Sequence, residues 1–271
     1  MAITYHAGRR IQGLERVGST ITFEDDFTSY ATQGDADTAY PTNDTADFRV
    51  NIANDNLAFD SKVTSTTNTG IYHDLGTALS DSAWVMDFKM VLSTLTLYSG
   101  GSIGAATYFT MNDSASGGAI GASVDAIGFY MSSSSSGSKF VMTYGDSSAL
   151  NTSVGILTTA NSTGTRYFRI IRLSTTSMRL EIYSDSARTS LIEGKTSTSI
   201  PSTVTGLRYF RIQDNQSGAG TGTGQQVGTI DDIKIYDGST SVVALAGDVK
   251  PTNVQVGSRF EETDTRKMYH R

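Results

Sequence analysis

The groups in this sequence with the most chemical promise are carboxylates. Glu24-Asp25-Asp26 and Asp231-Asp232 each sit inside a short run of β-branched and aromatic residues, residues 20–27 and 229–236. If the two runs lie side by side as strands, Asp25, Asp26, Asp231 and Asp232 gather in one place. Calcium takes about six to eight oxygen ligands, and clustered carboxylates supply them while losing their mutual repulsion. A simpler reading is that Asp231 and Asp232 cap turns or face solvent with Lys234 as partner. Both readings depend on one structural condition, the pairing of those two strands.

Other chemistries find no support. There are three histidines, His6, His73 and His270, and two of them lie near the chain ends. That leaves neither a Ser-His-Asp arrangement nor a His-rich metal site in the central segment. The chain has no cysteine, which removes disulfides and thiolate metal sites. The glycine-dense stretch from Gly218 to Gly224 runs into Gln225 and Gln226, where a phosphate-cradling loop needs Lys-Ser or Lys-Thr. A net charge of −6 implies no basic face, so nucleic acid is not an expected partner. No stretch approaches the roughly 20 apolar residues that cross a bilayer, so no membrane insertion is expected.

The elements that would position the carboxylates are strands. The chain is rich in serine, threonine and glycine, with three prolines, and Val, Ile, Tyr and Phe are spread throughout. The cleanest period of two runs from Trp84 to Leu92: Trp84, Met86, Phe88, Met90 and Leu92 share one face, and Val85, Asp87, Lys89 and Val91 the other. Trp84 shares its face with four large hydrophobes and is read as core. Phe48–Ile52 and Leu57–Phe59 flank the turn Asn54-Asp55-Asn56, a hairpin pattern. Residues 28–47 read as a long polar loop, and Leu75–Ser80 as a turn of helix at most. Tyr108–Met111, Ala126–Met131 and Lys139–Tyr144 read as further strands, with a serine run from Ser132 to Ser136 as a flexible loop. Arg166-Tyr167-Phe168-Arg169-Ile170 recurs as Arg208-Tyr209-Phe210-Arg211-Ile212. The two copies read as strands in similar sheet environments, their arginines lying on a solvated face and cross-paired with acids, the alternative being a glycan or phosphate site. The run Thr229–Tyr236 reads as a buried-edge strand that closes the sandwich beside Phe23–Phe27.

Three parts follow: an N-terminal arm (1–19), an all-β, two-sheet antiparallel sandwich (20–237), and a C-terminal arm (238–271). Within the last, Arg259-Phe260-Glu261 is expected to pair with Lys267-Met268-Tyr269 as a hairpin around a Thr-Asp-Thr turn. An isolated hairpin is marginal in water, so its apolar residues need another surface.

The central passages Phe23–Phe27, Trp84–Leu92, Tyr167–Tyr183 and Ile230–Tyr236 resemble the concanavalin A-like lectin/glucanase jelly roll, also seen in laminin-G-like modules. The resemblance implies a jelly-roll sandwich, and a structural calcium between first and last strands held by Asp25, Asp26, Asp231 and Asp232. Glucanases of that fold carry a Glu-x-Asp-x-Glu strand. None is present here, so no enzyme activity is expected. The terminal segments, Ala7–Gly13 and Val256–Tyr269, resemble short segments of phage and viral virion proteins.

The expectation is therefore a virion structural protein: an accessory capsid, decoration or tail component made in a host cytoplasm without a signal peptide. It assembles with other copies or other virion proteins through Arg9, Arg10, Phe260, Met268 and Tyr269. The alternative is a glycan-binding module for attachment to surface glycans, for which Tyr130, Tyr144, Tyr183 and Tyr236 offer aromatic surface.

Overall fold

A computed structural model describes residues 3–6, 9–12, 21–42, 45–62, 69–97, 106–115, 124–134, 137–147, 150–157, 162–214, 224–241, 259–261 and 268–270. The chain divides into two compact units, residues 20–241 and the pair 1–19 with 242–271. In the second of these, β1 (Ile3–His6) pairs antiparallel with β2 (Arg9–Gln12). The larger unit begins with β3 (Phe23–Asp25), followed by helix α1 (Gln33–Ala39), β4 (Phe48–Asn51) and β5 (Asn56–Lys62). It continues through β6 (Gly70–Asp74), β7 (Trp84–Thr96), β8 (Ala106–Asn112), β9 (Asp125–Ser134), β10 (Gly137–Asp146) and β11 (Leu150–Leu157). The hairpin β12 (Gly164–Ser174) and β13 (Ser177–Tyr183) leads to β14 (Leu191–Ser197), β15 (Tyr209–Asp214) and β16 (Gln225–Asp237). At the chain's end β17 (Arg259–Glu261) pairs with β18 (Met268–His270), Phe260 opposite Tyr269.

The sandwich consists of two antiparallel sheets. One runs β11-β10-β9-β8-β15-β6. The other runs β14-β13-β12-β7-β16-β5-β4, with β3 joined to β16. The first and last strands of the unit do pair, Phe23 opposite Ile235 and Asp25 opposite Ile233. Strand β16, however, is central and not an edge: β7 lies along one side, and β5 and then β3 share the other. The change of neighbour falls at a bulge between Asp231 and Lys234, where Asp232 has φ +53°. An extra residue in one strand raises the local twist, and aspartate tolerates the left-handed region better than most residues.

Alternation decides which residues form the core. Trp84, Met86, Phe88, Met90 and Leu92 all point between the sheets, as their period of two requires. Phe88 and Phe168 of one sheet stack with Phe109 and Phe129 of the other. Ring centroids lie 5.2 Å apart for Phe88–Phe168, 5.0 Å for Phe129–Phe168 and 5.1 Å for Phe109–Phe129. Beside this stack one polar bridge crosses the core. The Gln226 carbonyl accepts from the Thr107 backbone amide at 3.1 Å, and its amide donates to the Met131 carbonyl at 2.9 Å.

The polar stretch 28–47 holds the single helix among the described residues. Its capping box is Thr32 with Asp35: the Thr32 hydroxyl accepts from the Asp35 amide, and the Asp35 carboxylate takes the Thr32 amide. At seven residues the helix is too short for an apolar period to announce it. It lies along the sheet margin, where Gln33 Nε2 donates to the Val50 carbonyl of β4 at 2.7 Å. Beyond it, Thr42 bridges to Ile71 and the Tyr72 amide donates to the Pro41 carbonyl at 3.2 Å, covering β6. Leu75–Ser80 contains no helix.

Replacing Gln226 with leucine strands a buried amide and a buried carbonyl between the sheets. Urea unfolding is expected to show a loss of about 1–3 kcal/mol with an unchanged slope.

Candidate functional site

The four predicted calcium ligands are brought close but not to one point. Asp25, Asp26 and Asp232 line a cleft of about 410 Å³ together with Glu24, Ser29, Tyr30 and Lys234. Asp231 turns instead to Lys89, 2.9 Å away. Both oxygens of Asp25 are occupied: one takes the Phe27 amide at 2.7 Å, the other the hydroxyls of Tyr30 at 2.5 Å and Tyr40 at 2.9 Å. Asp26 accepts from both the hydroxyl and the amide of Thr28, which hold its carboxyl below the usual range. The second Asp231 oxygen accepts the Asp232 amide at 2.8 Å, inside the bulge of β16. Among the described residues no three His, Cys, Asp or Glu side chains converge to hold a metal. The structure thus brings three of the four expected calcium ligands, Asp25, Asp26 and Asp232, to one cleft, and engages Asp25 and Asp26 in a turn and Asp231 in an ion pair. Lys234 lies 4.0 Å from Glu24, so the expected partner of the Asp231 pair is replaced by Lys89.

A different surface stands out, the face of the six-stranded sheet that points away from the core. Phe210 and Ile212 of β15 and Phe109 and Met111 of β8 point inward. Alternation therefore sends Tyr209, Arg211 and Gln213 outward beside Tyr108, Thr110 and Asn112. Cross-strand register lines these residues up in rows. One row runs Tyr72, Arg211, Thr110, Gly128 and Thr143. The next runs Gly70, Gln213, Tyr108, Tyr130 and Val141, and Tyr108 stacks on Tyr130 at 4.9 Å.

These outward residues are polar and yet buried. Gln213 and Thr110 are 0 % exposed, Asn112 1 % and Arg211 2 %. Neither amide atom of Gln213 has a hydrogen-bond partner, nor does the Thr110 hydroxyl or the Asn112 side-chain oxygen. A buried polar atom left unsatisfied costs about 1–3 kcal/mol, so several together call for an occupant or a function. Arg211 donates to the Ala115 carbonyl at 3.3 Å, and burial pulls its guanidinium down to about 10. At the β6 margin a cleft of about 490 Å³ leads to this row, lined by Tyr72, Tyr209, His73, Asp74, Ala115 and Pro41 among others. Tyr72 and Tyr209 meet edge to face at 6.0 Å, and Arg208 lies over the Tyr209 ring while pairing with Asp74.

The outward face of the eight-stranded sheet is the reverse case. Asp87 receives two hydrogen bonds from Arg169, both 2.8 Å, and has Arg188 at 3.5 Å. Tyr183 and Arg179 both donate to Glu181. The repeated Arg-Tyr-Phe-Arg-Ile thus falls in two sheets with opposite outcomes. In β12 the second arginine, Arg169, is neutralised across the strand as expected. In β15 its counterpart Arg211 is buried in the row of Thr110 and Tyr72. Of the four tyrosines considered for sugar stacking, Tyr144, Tyr183 and Tyr236 are buried, and Tyr130 alone lies half-exposed on the outward row. Arg9 and Arg10 lie on β2, Phe260 on β17, and Met268 and Tyr269 on β18.

No protein-family model matches the sequence, and no curated protein is significantly similar to it. Solved structures do match in fold. The basic winged bean lectin with Tn-antigen aligns with a TM-score of 0.50 at 9 % identity, over 79 % of this chain and 96 % of that one. An endo-β-1,4-glucuronan lyase from the fungus Trichoderma reesei gives 0.47 at 12 %, over 80 % and 96 %. The alginate lyase from Klebsiella pneumoniae gives 0.45 at 11 %, over 73 % and 86 %. The larger unit is a concanavalin A-like jelly-roll sandwich.

Gln213 is followed by Asp214, which points the other way, into the sandwich margin, and is 2 % exposed. Burial pushes its carboxyl up to about 7, the Lys62 amide opposes this, and the nearby Asp47 and Asp60 add to the rise. The folded chain therefore holds a proton that the unfolded chain releases between about pH 4 and 7. Stability from this group is full at the acid end and falls as pH rises through that window. Asp214→Asn is expected to melt at a higher temperature than the parent at pH 8, by on the order of 2–4 kcal/mol in stability, and equally at pH 4. Thermal melts across that range check it.

Proposed function

We propose that the sandwich is a non-enzymatic glycan-binding module whose binding surface is the outward face of the six-stranded sheet. The observation that carries this is the set of half-exposed tyrosines on that face, Tyr72, Tyr209 and Tyr130, in register with the buried, unbonded amide of Gln213. A sugar ring presents adjacent hydroxyls that both donate and accept. Those are the partners that the Gln213 amide, the Thr110 hydroxyl and the Asn112 oxygen lack. Tyr72, Tyr209 and Tyr130 add flat surface with a polar edge, suited to a ring that is apolar on its faces and wet at its rim. The same fold in a lectin with Tn-antigen agrees with this reading.

The non-enzymatic part rests on what the nearby titratable groups already do. Asp74 is held by Arg208 in a bidentate pair, which keeps its carboxyl below the usual range. His73, at the cleft wall, has its Nδ1 2.9 Å from the Ala39 carbonyl and stacks on Phe23. A general acid and base facing one another across the row are absent among the described residues.

A glycan array read with the full chain is expected to show saturable binding. Gln213→Leu is expected to abolish that binding while leaving stability unchanged or raised by up to about 2 kcal/mol, because the leucine removes an unsatisfied amide. If binding survives Gln213→Leu, the surface is wrongly placed.

The terminal segments carry the second part of the proposal. Two short ribbons, β1–β2 and β17–β18, belong to the smaller unit. Ribbons of that size need another surface for stability. We propose that they attach the sandwich to a larger assembly, as an accessory component of a virion. Deleting residues 239–271 is expected to leave sugar binding and the melting transition intact while particles seen by electron microscopy disappear. Unchanged assembly of the deleted form would refute this role.

A further inference from the structure

The two flanks of the sandwich are finished differently. On one flank both sheet edges are covered: α1 bonds to β4 through Gln33, and Pro41 and Thr42 bond to β6. On the other flank the sheets end in β11 and β14, and neither has a further strand beside it among the described residues. The two edges are neighbours, since a Cβ placed on Gly155 of β11 would come within 3.0 Å of the Lys195 side chain of β14. Ile156 on β11 is 42 % exposed, and Leu191 and Ile192 on β14 are 49 % and 39 % exposed. Across the described residues, the other large exposed hydrophobics are Ile21 and Leu97. An uncovered edge carrying apolar side chains is a template for another strand.

The sequence of β14 says which strand. It reads Leu-Ile-Glu-Gly-Lys-Thr-Ser. An antiparallel copy of this strand, related by a two-fold axis through Gly194, sets Glu193 opposite Lys195 of the second copy and Lys195 opposite its Glu193. A two-fold axis one residue to either side sets Glu193 against Glu193 or Lys195 against Lys195. Opposite charges directly across a strand pair are stabilising and like charges destabilising, so one register is selected. We propose that β14 is a self-association edge, joining two copies of this chain about a two-fold axis at Gly194 into one continuous sheet.

This surface is distinct from both the sugar face and the terminal ribbons, so it can be tested in the intact chain. The absence of native cysteine makes single-cysteine variants clean reporters. In the proposed register Gly194 lies opposite itself. The Cα–Cα distance there is about 4.5–5.5 Å, within reach of a disulfide. Thr196 lies opposite Ile192 of the other copy, so two Thr196 positions are about 13 Å apart. A side chain at 194 meets the tip of the Arg179 side chain at 2.8 Å, which can move aside, and makes an ordinary contact with Glu181 at 3.6 Å. Under mild copper-phenanthroline oxidation, Gly194→Cys is expected to give a covalent dimer on a non-reducing gel, and Thr196→Cys little or none. Adding Glu193→Lys to Gly194→Cys is expected to lower the yield about fivefold, and adding Lys195→Glu as well to restore it. Equal cross-linking at 194 and 196, or a yield that the double charge exchange leaves low, overturns the proposal.

Discussion

The long strand β16 is hydrogen-bonded to β7 along one side and to β5 and then β3 along the other, and this shared ladder sets the position of everything else in the sandwich. The change of neighbour coincides with a bulge at Asp231–Lys234 in the ladder with β7, where Asp232 lies in the left-handed region and its amide is bonded to the Asp231 carboxylate. The same bulge brings β3 alongside, and Asp25 at its end ties down Tyr30 and Tyr40. Those tyrosines flank α1 within the segment that covers β4 and β6. The acids read as calcium ligands also join the strands at this exchange.

Once both sheets have committed one face to the core, each must manage its other face. The eight-stranded sheet does so by neutralisation, with Asp87 between Arg169 and Arg188 and with Lys89 against Asp231. Charged pairs of this kind bring little net stability when exposed, but a buried carboxylate without its arginine would be costly. The six-stranded sheet leaves amide and hydroxyl groups buried without partners. Two faces built from one chain, with similar strand content, show that closing such networks was within the sequence's means.

The fold was legible because alternation is a local property: Trp84–Leu92, the hairpin at Asn54–Asn56 and the turn at Ser174–Ser177 each announce themselves within a dozen residues. The pairing of the first and last strands was legible too, from the matching composition of Thr20–Phe27 and Thr229–Tyr236. The site was not, and the repeated Arg-Tyr-Phe-Arg-Ile shows why. Identical residues meet Asp87 in β12 and Thr110 in β15, so their fate depends on which strand lies beside them, which no local pattern encodes. The short helix escaped because seven residues carry less than two full apolar turns; the box Thr32-x-x-Asp35 was the available sign. Lys89 as the partner of Asp231 was hidden for the same reason as the site, since the two are 142 positions apart.

The unequal flanks follow from chain order as much as from side chains. The segment between β3 and β4 must travel from the strand exchange to the sheet margin, and in doing so it crosses β6 and β4 and caps both. The strands at the opposite flank, β11 and β14, are each reached by a simple hairpin, from β10 and from β13. No connection passes over them among the described residues, so covering them falls to something other than the chain's own path. A jelly roll wound this way has one finished side and one unfinished side by construction. What distinguishes this sequence is that the unfinished side carries isoleucine and leucine beside a Glu-Gly-Lys centre that matches its own reversed copy.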